Sequence, residues 1–220
     1  MLSRIFDTDN AVFRVFRTVG YIWWLHVLWL VCSLPIITIG ASTTALCYSC
    51  MKLRNREGYV TGNFFRSFKE NFVQSTMLFL FFIITGGLLI LNLILGNQIE
   101  TVAGRVARCG ALVLLIPYCM TLLYAFAIQA KFVNPVRKTL RYAFGVALKY
   151  YGYTFQMVLI VAGVLILNLT TIVLTNFVTL TIGVGVMVYV LSIYYNKIFS
   201  KILMKADAVS RQCPEMNFEN

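Results

Sequence analysis

Long apolar runs separated by short basic segments dominate the pattern of this chain. Clear runs cover about residues 73–95 and 109–130, and a longer run covers residues 153–199. A helix needs roughly 20 apolar residues to cross the hydrocarbon of a bilayer. The first two runs therefore predict one span each, and the third predicts two spans divided near residues 168–176. The pattern indicates helices rather than the alternating strands of a membrane barrel.

A further apolar region, residues 18–50, is interrupted in its middle. The interruption, Ser33–Ala45, contains a proline, a glycine and several hydroxyl side chains, and we call it the broken segment. Pro35 has no amide hydrogen to donate and disfavours helix at the preceding residue, while Gly40 offers a second bend. We therefore predict two helices here, which makes five or six membrane helices in total.

The broken segment admits two interpretations. Irregular backbone is tolerated at membrane depth only where it is buried in protein or faces water. Its hydroxyls can satisfy the backbone groups that the break frees, or they can line a polar cavity. The favoured interpretation is structural, and the candidate cavity residues are Ser33, Pro35, Thr38, Gly40, Ser42, Thr43 and Thr44.

Two basic segments between the spans have amphipathic helical patterns. Residues 63–72 place their phenylalanines opposite charged side chains. Residues 136–151 repeat this pattern, after Asn134 as the predicted N-cap and Pro135 as the first helical residue. The apolar side of the second segment contains Val136, Leu140, Phe144, Ala147 and Tyr151. We predict two interfacial helices, and loop helices packed on the bundle are the alternative.

These segments together predict an all-α fold, a polytopic transmembrane helix bundle with one domain. Its parts are a cytoplasmic lead-in (1–17), a broken helix pair (18–50), a basic segment (51–72), a helical hairpin (73–130), a second basic segment (131–152), a second hairpin (153–199) and a cytoplasmic tail (200–220). Composition agrees, since 60% of the residues are hydrophobic and 12% are charged. Soluble domains carry roughly 25% charged residues.

The net charge of +11 bears on one further property, the orientation of the helices in the bilayer. The 19 Lys and Arg residues lie between apolar runs and form no separate basic domain, so binding to nucleic acid is not expected. If residues 18–50 enter and return, 17 of the 19 fall on one side of the membrane; with a single crossing, 14 do. The positive-inside rule therefore favours a returning pair with both termini in the cytoplasm.

A short repeat relates two of the spans. Residues 87–93, GLLILNL, recur as residues 163–169, GVLILNL, each after an amphipathic basic segment. The repeat aligns Asn92 with Asn168. Intramembrane asparagines most often bond between helices, so we predict helix packing for both, with solute contact as the alternative.

Residue types that carry chemistry form no recognisable catalytic or metal-binding pattern. All eight acidic residues lie in loops or tails, so no carboxylate is available inside the membrane for a proton relay. The single histidine, His26, is interpreted as a packed residue. Cys47 and Cys50 have redox-pair spacing but lack a thioredoxin-like context. We predict no catalytic residue, no metal site and no cofactor, and we expect that the protein is not an enzyme.

Short motifs follow one another along the chain, most densely in its N-terminal third. They are Asp9-Asn10 with Phe13, Leu28-Trp29-Leu30, Ser33-Leu34-Pro35, Thr38–Ala45, Gly58-Tyr59, Phe65, Ser67-Phe68-Lys69, Asn71-Phe72, Gln74, Pro117-Tyr118 and Lys131-Phe132-x-Asn134. In these motifs the chain resembles the YesL family of Gram-positive bacterial membrane proteins. The resemblance implies a multi-pass plasma-membrane protein whose genes tend to lie beside carbohydrate ABC importers and polysaccharide-degrading enzymes. It implies no activity, because the function of that family is unknown.

We therefore expect a non-enzymatic accessory or regulatory protein of carbohydrate uptake of the ABC type. The alternative is a small solute transporter or channel with a path beside Pro35–Thr44. Expected partners are the lipid bilayer and ABC importer subunits, and the oligomeric state stays open. Candidate docking residues are Phe65, Arg66, Phe68, Lys69, Arg141 and Phe144.

Overall fold

The computed structural model describes residues 11–98, 101–132, 134–170 and 179–212, and helices make up nearly all of them. In order, the elements are α1 (Ala11–Cys32), a 3-10 turn (Ile36–Thr38), α2 (Ile39–Arg54), α3 (Val60–Gln98), α4 (Val102–Lys131), α5 (Val136–Lys149), α6 (Tyr151–Thr170), a π-helical turn (Thr179–Gly183) and α7 (Val184–Gln212). The described ranges contain no strand. The predicted all-α class is confirmed.

Six of these helices are long and apolar enough to cross a membrane, namely all except α5. Two of the six, α1 and α2, come from the region interrupted by the broken segment, so by length and apolarity six helices agree with the predicted five or six. The division of residues 153–199 also follows the prediction, because α6 ends at Thr170 and the next described helical turn begins at Thr179. This arrangement is that of a polytopic helical bundle.

Helix α3 is much longer than the span predicted within it. Its 39 residues extend over about 58 Å, whereas the hydrocarbon core is roughly 30 Å thick. The amphipathic segment of residues 63–72 is not a separate interfacial helix but forms the early turns of α3. No proline interrupts the sequence between this segment and the span, so the helix continues through both. For the same reason the described part of the predicted lead-in, residues 11–17, belongs to α1.

Helix α5 is a separate helix, as predicted, but its buried face is rotated from the predicted one, with which it shares Ala147. Its buried residues are Thr139, Ala143 and Ala147, whereas Phe144 is exposed and Tyr151 lies exposed in α6. Short side chains let the backbone of α5 approach α4 closely, which explains the rotation. Pro135 occupies the N-cap position in place of Asn134, and α5 begins one residue later than predicted.

Contacts between distant segments show that one end of the bundle carries most of the charge. Asn196 of α7 donates to the Met51 carbonyl at 3.3 Å and to the Asn55 side chain at 3.1 Å. Lys201 donates to the Tyr153 hydroxyl at 3.1 Å. Four segments therefore lie together at one end of the bundle: the start of α1, the α2–α3 turn, the segment from the end of α4 to the start of α6, and the end of α7. We call this the basic end, because only Arg105 and Arg108 of the described basic residues lie at the other end.

Helix α2 lies at the centre of the bundle and packs against α1, α3, α4 and α7. Gly40 permits the closest approach, because a Cβ atom there would clash with the Ser75 carbonyl oxygen of α3. The predicted second bend at Gly40 is wrong, since the residue lies inside α2. The core around it contains large side chains from six helices, including Leu25, Leu46, Phe64, Tyr124, Met157 and Ile198.

Candidate functional site

The broken segment forms a compact turn whose free backbone groups are satisfied internally. Helix α1 ends at Cys32, and Pro35 begins the 3-10 turn with extended backbone angles. The Thr38 hydroxyl lies 2.5 Å from the Cys32 carbonyl oxygen and 2.6 Å from that of Pro35. The Thr38 hydroxyl thus offers a hydrogen to the Cys32 carbonyl at the end of α1, while the Pro35 carbonyl also accepts from the Thr38 amide at 2.9 Å.

The remaining hydroxyls of the broken segment connect α1 with α2. Ser33 and Ser42 are 2.6 Å apart between their hydroxyl oxygens, and the Trp29 indole donates to the Thr43 hydroxyl at 3.2 Å. Thr44 donates to the Gly40 carbonyl one turn earlier in α2. These bonds are of the kind expected for the structural interpretation, and a solute cavity beside them stays a prediction. Pro35 itself is exposed at the periphery of the bundle.

Further along the α2–α3 contact, three buried hydroxyls have no hydrogen-bond partner among the described residues. They belong to Ser49 of α2 and to Ser75 and Thr76 of α3. Ser75 lies directly against Gly40. A buried hydroxyl without a partner costs free energy, so these atoms are the polar groups in this contact that a solute or water could use.

A continuous chain of buried polar side chains links α3, α4 and α5 near the basic end. Thr139 donates to Gln129 Oε1 at 2.7 Å, and Gln129 Nε2 donates to Asn71 Oδ1 at 3.4 Å. Asn71 in turn donates to the Ser67 carbonyl at 3.2 Å. All four side chains are at most 2% exposed. The sequence analysis did not select this chain, although amide residues in apolar surroundings were a signal for it.

Tyrosine hydroxyls form similar contacts between later helices. Tyr124 of α4 and Thr154 of α6 are 3.0 Å apart between their hydroxyl oxygens, and both side chains are fully buried. Tyr195 of α7 donates to the Leu123 carbonyl at 2.7 Å. The interior polar groups of these helices are therefore used for helix–helix contacts.

The predicted docking residues lie at the basic end, and most of them are accessible. Phe65, Arg66, Lys69, Arg141 and Phe144 are exposed, whereas Phe68 is half-buried. Arg66 forms an ion pair with Glu70 at 2.9 Å. Helices α3 and α5 are in contact, so the two predicted surfaces belong to neighbouring helices at this end.

The neighbouring phenylalanines point inward. Phe64 is fully buried, and its ring centroid is 6.3 Å from that of Phe68 in a stacked arrangement. The apolar side of residues 63–72 therefore packs on the bundle, as in the loop-helix alternative, and leaves the charged side outward.

Among the described residues, the two asparagines of the repeat bond to their own helices and not to a neighbouring one. Asn92 donates to the Leu88 carbonyl at 3.1 Å and Asn168 to the Val164 carbonyl at 2.7 Å, each within its own helix. The predicted interhelical bonds are thus wrong. Both residues lie on spans that are mostly exposed, so their own backbone is the nearest acceptor.

His26 is packed, as the sequence analysis expected. It is fully buried, stacks on Trp29 with 5.7 Å between ring centroids, and accepts a hydrogen bond from the Gly185 amide at 3.2 Å through Nδ1. Gly185 lies in the first turn of α7, two residues after the end of the π-helical turn. His26 therefore stabilises the start of α7.

The described residues bring no three His, Cys, Asp or Glu side chains close enough to hold a metal ion. Cys47 and Cys50 are both buried as free thiols.

Six apolar helices, close approach at glycines and buried interhelical hydrogen bonds define a polytopic helical protein of the membrane type. Residues 22–93 match a family model described as "Protein of unknown function, DUF624". The match covers 72 of the 220 residues and extends from the middle of α1 through the broken segment and α2 into α3. No curated protein and no solved structure matches the chain. The similarity lies within the N-terminal half of the chain and carries no activity.

Proposed function

We propose that this protein is a non-enzymatic accessory or regulatory component of a membrane assembly, and that it binds partner proteins through its basic end. The observation that carries the proposal is the contrast between interior and surface at that end. Inside, Asn71, Gln129 and Thr139 are hydrogen-bonded to one another. Outside, α3 and α5 each expose aromatic and basic side chains at this end.

The charge and shape of this surface suit a protein partner. Phe65 and Phe144 are each 41% exposed. Lys69 lies one turn after Phe65 in α3, and Arg141 lies three residues before Phe144 in α5. Aromatic and arginine side chains are enriched where protein interfaces derive most of their affinity. The buried polar chain links α3 to α5 through α4, and it thereby fixes the position of one helix relative to the other.

The identity of the partner rests on the YesL resemblance. That family's genes tend to lie beside carbohydrate ABC importers, so we propose an importer permease or solute-binding subunit as the partner. On the positive-inside rule the basic end faces the cytoplasm, which favours the cytoplasmic loops of a permease.

Site-specific photo-crosslinking tests this proposal. A photoreactive amino acid replaces Phe65 or Phe144 in the full chain, expressed in cells that contain the importer. Val106 is a matched control, because it is also exposed and apolar but lies at the opposite end. We expect importer subunits, identified by mass spectrometry, in adducts of the first two positions and not in those of Val106.

Charge reversal sharpens the test. The double variant Lys69→Glu, Arg141→Glu should lower the yield of importer adduct by about tenfold, since several interfacial charge contacts are lost. Importer adducts of equal yield at Val106, or none at Phe65 and Phe144, would contradict the proposal.

A solute transporter with a path beside Pro35–Thr44 is the second candidate. The unpartnered hydroxyls of Ser75 and Thr76, next to the Gly40 contact, favour it. Proteoliposomes containing the wild-type chain should then take up labelled oligosaccharides, and Ser75→Leu and Pro35→Ala should change the rate. Absence of flux in all three preparations would remove this candidate.

A further inference from the structure

A broad groove opens at the basic end between α1 and the turn that joins α2 to α3. Its volume is about 1220 Å³. One wall is the first half of α1, the other is formed by residues 53–61, and Tyr189 of α7 lies between them. The predicted docking residues of α3 and α5 are not among its lining residues.

Arginine side chains give the groove a positive charge. Arg17, Arg54 and Arg56 line it and are exposed, and none of the three has an ion-pair partner within the described residues. Glu57 is the one acidic residue of the lining. Its carboxylate is bound by Lys52, and this hydrogen bond, followed by one from Asn55, lowers the pKa of Glu57 below its usual value. Lys52 therefore neutralises the one acidic side chain of the described lining, and no described carboxylate pairs with the three arginines.

The turn that presents these arginines has a defined and strained conformation. Arg56 has φ of 57°, in the left-handed region that residues other than glycine rarely adopt. Hydrogen bonds hold it there, from the Arg56 amide to the Leu53 carbonyl at 3.1 Å and from the Glu57 amide to the Lys52 carbonyl at 3.0 Å. Asn63 also donates to the Glu57 carbonyl at 2.9 Å. The first two bonds are those of the Schellman motif that commonly ends a helix, and they give the turn a defined conformation at the end of α2.

The groove lies where a membrane interface is expected. Trp24 lines it, is 43% exposed, and donates from its indole nitrogen to Thr61 at 3.0 Å. Tryptophans are enriched at the level of lipid headgroups. Next to the groove, α1 exposes Phe16 and Trp23, which provide an apolar surface for acyl chains. Positive charge beside exposed apolar side chains favours a lipid over a free soluble anion.

We propose that this groove binds the phosphate-bearing headgroup of an anionic phospholipid from the adjacent leaflet, with Arg17, Arg54 and Arg56 as its ligands. Guanidinium groups bind phosphate oxygens in a bidentate manner. The lipid's acyl chains lie along the outer face of α1. The site is independent of the proposed protein partner, because the two surfaces share no residue.

Lipid titration of the purified full chain tests the proposal. Phosphatidylglycerol and phosphatidylcholine with the same acyl chains are added to the protein in mild detergent, and native mass spectrometry measures the bound fraction. We expect phosphatidylglycerol to bind more tightly, and the triple variant Arg17→Gln, Arg54→Gln, Arg56→Gln to lose about tenfold or more in its affinity.

The matched control removes three charges at the same end but outside the groove, with Arg137→Gln, Lys138→Gln and Lys149→Gln on the exposed side of α5. Its affinity for phosphatidylglycerol should change less than about twofold, since these residues are not near the lipid. Equal losses in the two triple variants would show diffuse attraction and overturn the proposal, as would equal binding of the two lipids.

Inorganic phosphate and glycerol 3-phosphate distinguish the other source of the same chemistry. If either compound displaces phosphatidylglycerol at a concentration similar to that at which the lipid itself binds, the groove is assigned to a soluble phosphorylated ligand. That result would overturn the lipid proposal. If the triple variant does not elute as a monodisperse species, the single variant Arg17→Gln replaces it in the titration. Arg17 lies on the exposed side of α1, and the loss of its charge should still weaken phosphatidylglycerol binding severalfold.

Discussion

Helices α2 and α6 are of similar length, yet they occupy opposite environments. Ten of the 16 residues of α2 are buried, although glycine, serine, threonine and cysteine form much of its sequence. Among the described side chains of α6, only those of Thr154 and Met157 are buried, although leucine, isoleucine and valine dominate that helix. The more apolar helix is thus the more exposed one.

This difference follows from the solvent. Lipid tails are as apolar as leucine, so burying a leucine between helices gains little over leaving it in lipid. Small side chains allow close van der Waals contact of the backbones, and polar side chains gain partners that lipid cannot offer. Both terms favour α2 over α6 as the central helix.

The comparison predicts its largest effect at glycines. Gly40→Leu should destabilise the bundle by about 3 kcal/mol or prevent folding, because the new side chain meets the α3 backbone at Ser75. Thermal unfolding of the detergent-solubilised chain, followed by size-exclusion chromatography, measures this effect.

Gly163→Leu on α6 is the matched control. A Cβ atom at Gly163 has no neighbour within 4 Å, so the substitution should change stability by less than about 0.5 kcal/mol. Equal effects of the two variants would show that α2 is not packed as closely as the comparison requires.

A smaller effect is expected from buried amides. Gln129→Leu should cost about 1–2 kcal/mol, because the Thr139 hydroxyl and the Asn71 amide oxygen both lose their partner. Asn168→Leu on α6 should be nearly neutral, since Asn168 bonds only to its own helix through Val164. The two unfolding midpoints check this, and a larger loss for Asn168→Leu would contradict it.

The smallest predicted effect has the opposite sign and concerns the turn that follows α2. Arg56→Gly should stabilise the protein by about 0.5–1 kcal/mol, because glycine adopts positive φ without steric cost. Arg54→Gly removes the same charge from the last turn of α2 and should instead destabilise by about 0.5–1 kcal/mol. The unfolding midpoints of the two variants check this prediction, and a destabilised Arg56→Gly variant would contradict it.

Local sequence rules predicted the number and type of elements well where one segment decides the outcome. Pro35 ended α1 as expected, because the missing amide hydrogen acts on the neighbouring backbone. The same rules missed the continuity of α3 and the buried face of α5. The length of α3 depends on the absence of any interruption after Phe72, and the orientation of α5 depends on which helix faces it.

The candidate sites show the same division. The amphipathic pattern could not tell which phenylalanines are exposed. Phe65 and Phe144 are exposed, whereas Phe64 and Phe68 of the same pattern pack inward. The arginine groove was not predicted, because Arg17 is separated from Arg54 and Arg56 by an entire helical hairpin. Their meeting requires that α1 and α2 run in opposite directions.

The sequence by itself determined that this chain forms a bundle of membrane-type helices, because the length and apolarity of a span are properties of one continuous segment. Only the tertiary structure decided which helix lies at the centre and which polar groups meet. The physical reason is that close packing and hydrogen bonding in an apolar solvent depend on partners far apart in sequence. Asn71, Gln129 and Thr139 become one buried chain only when α3, α4 and α5 are assembled.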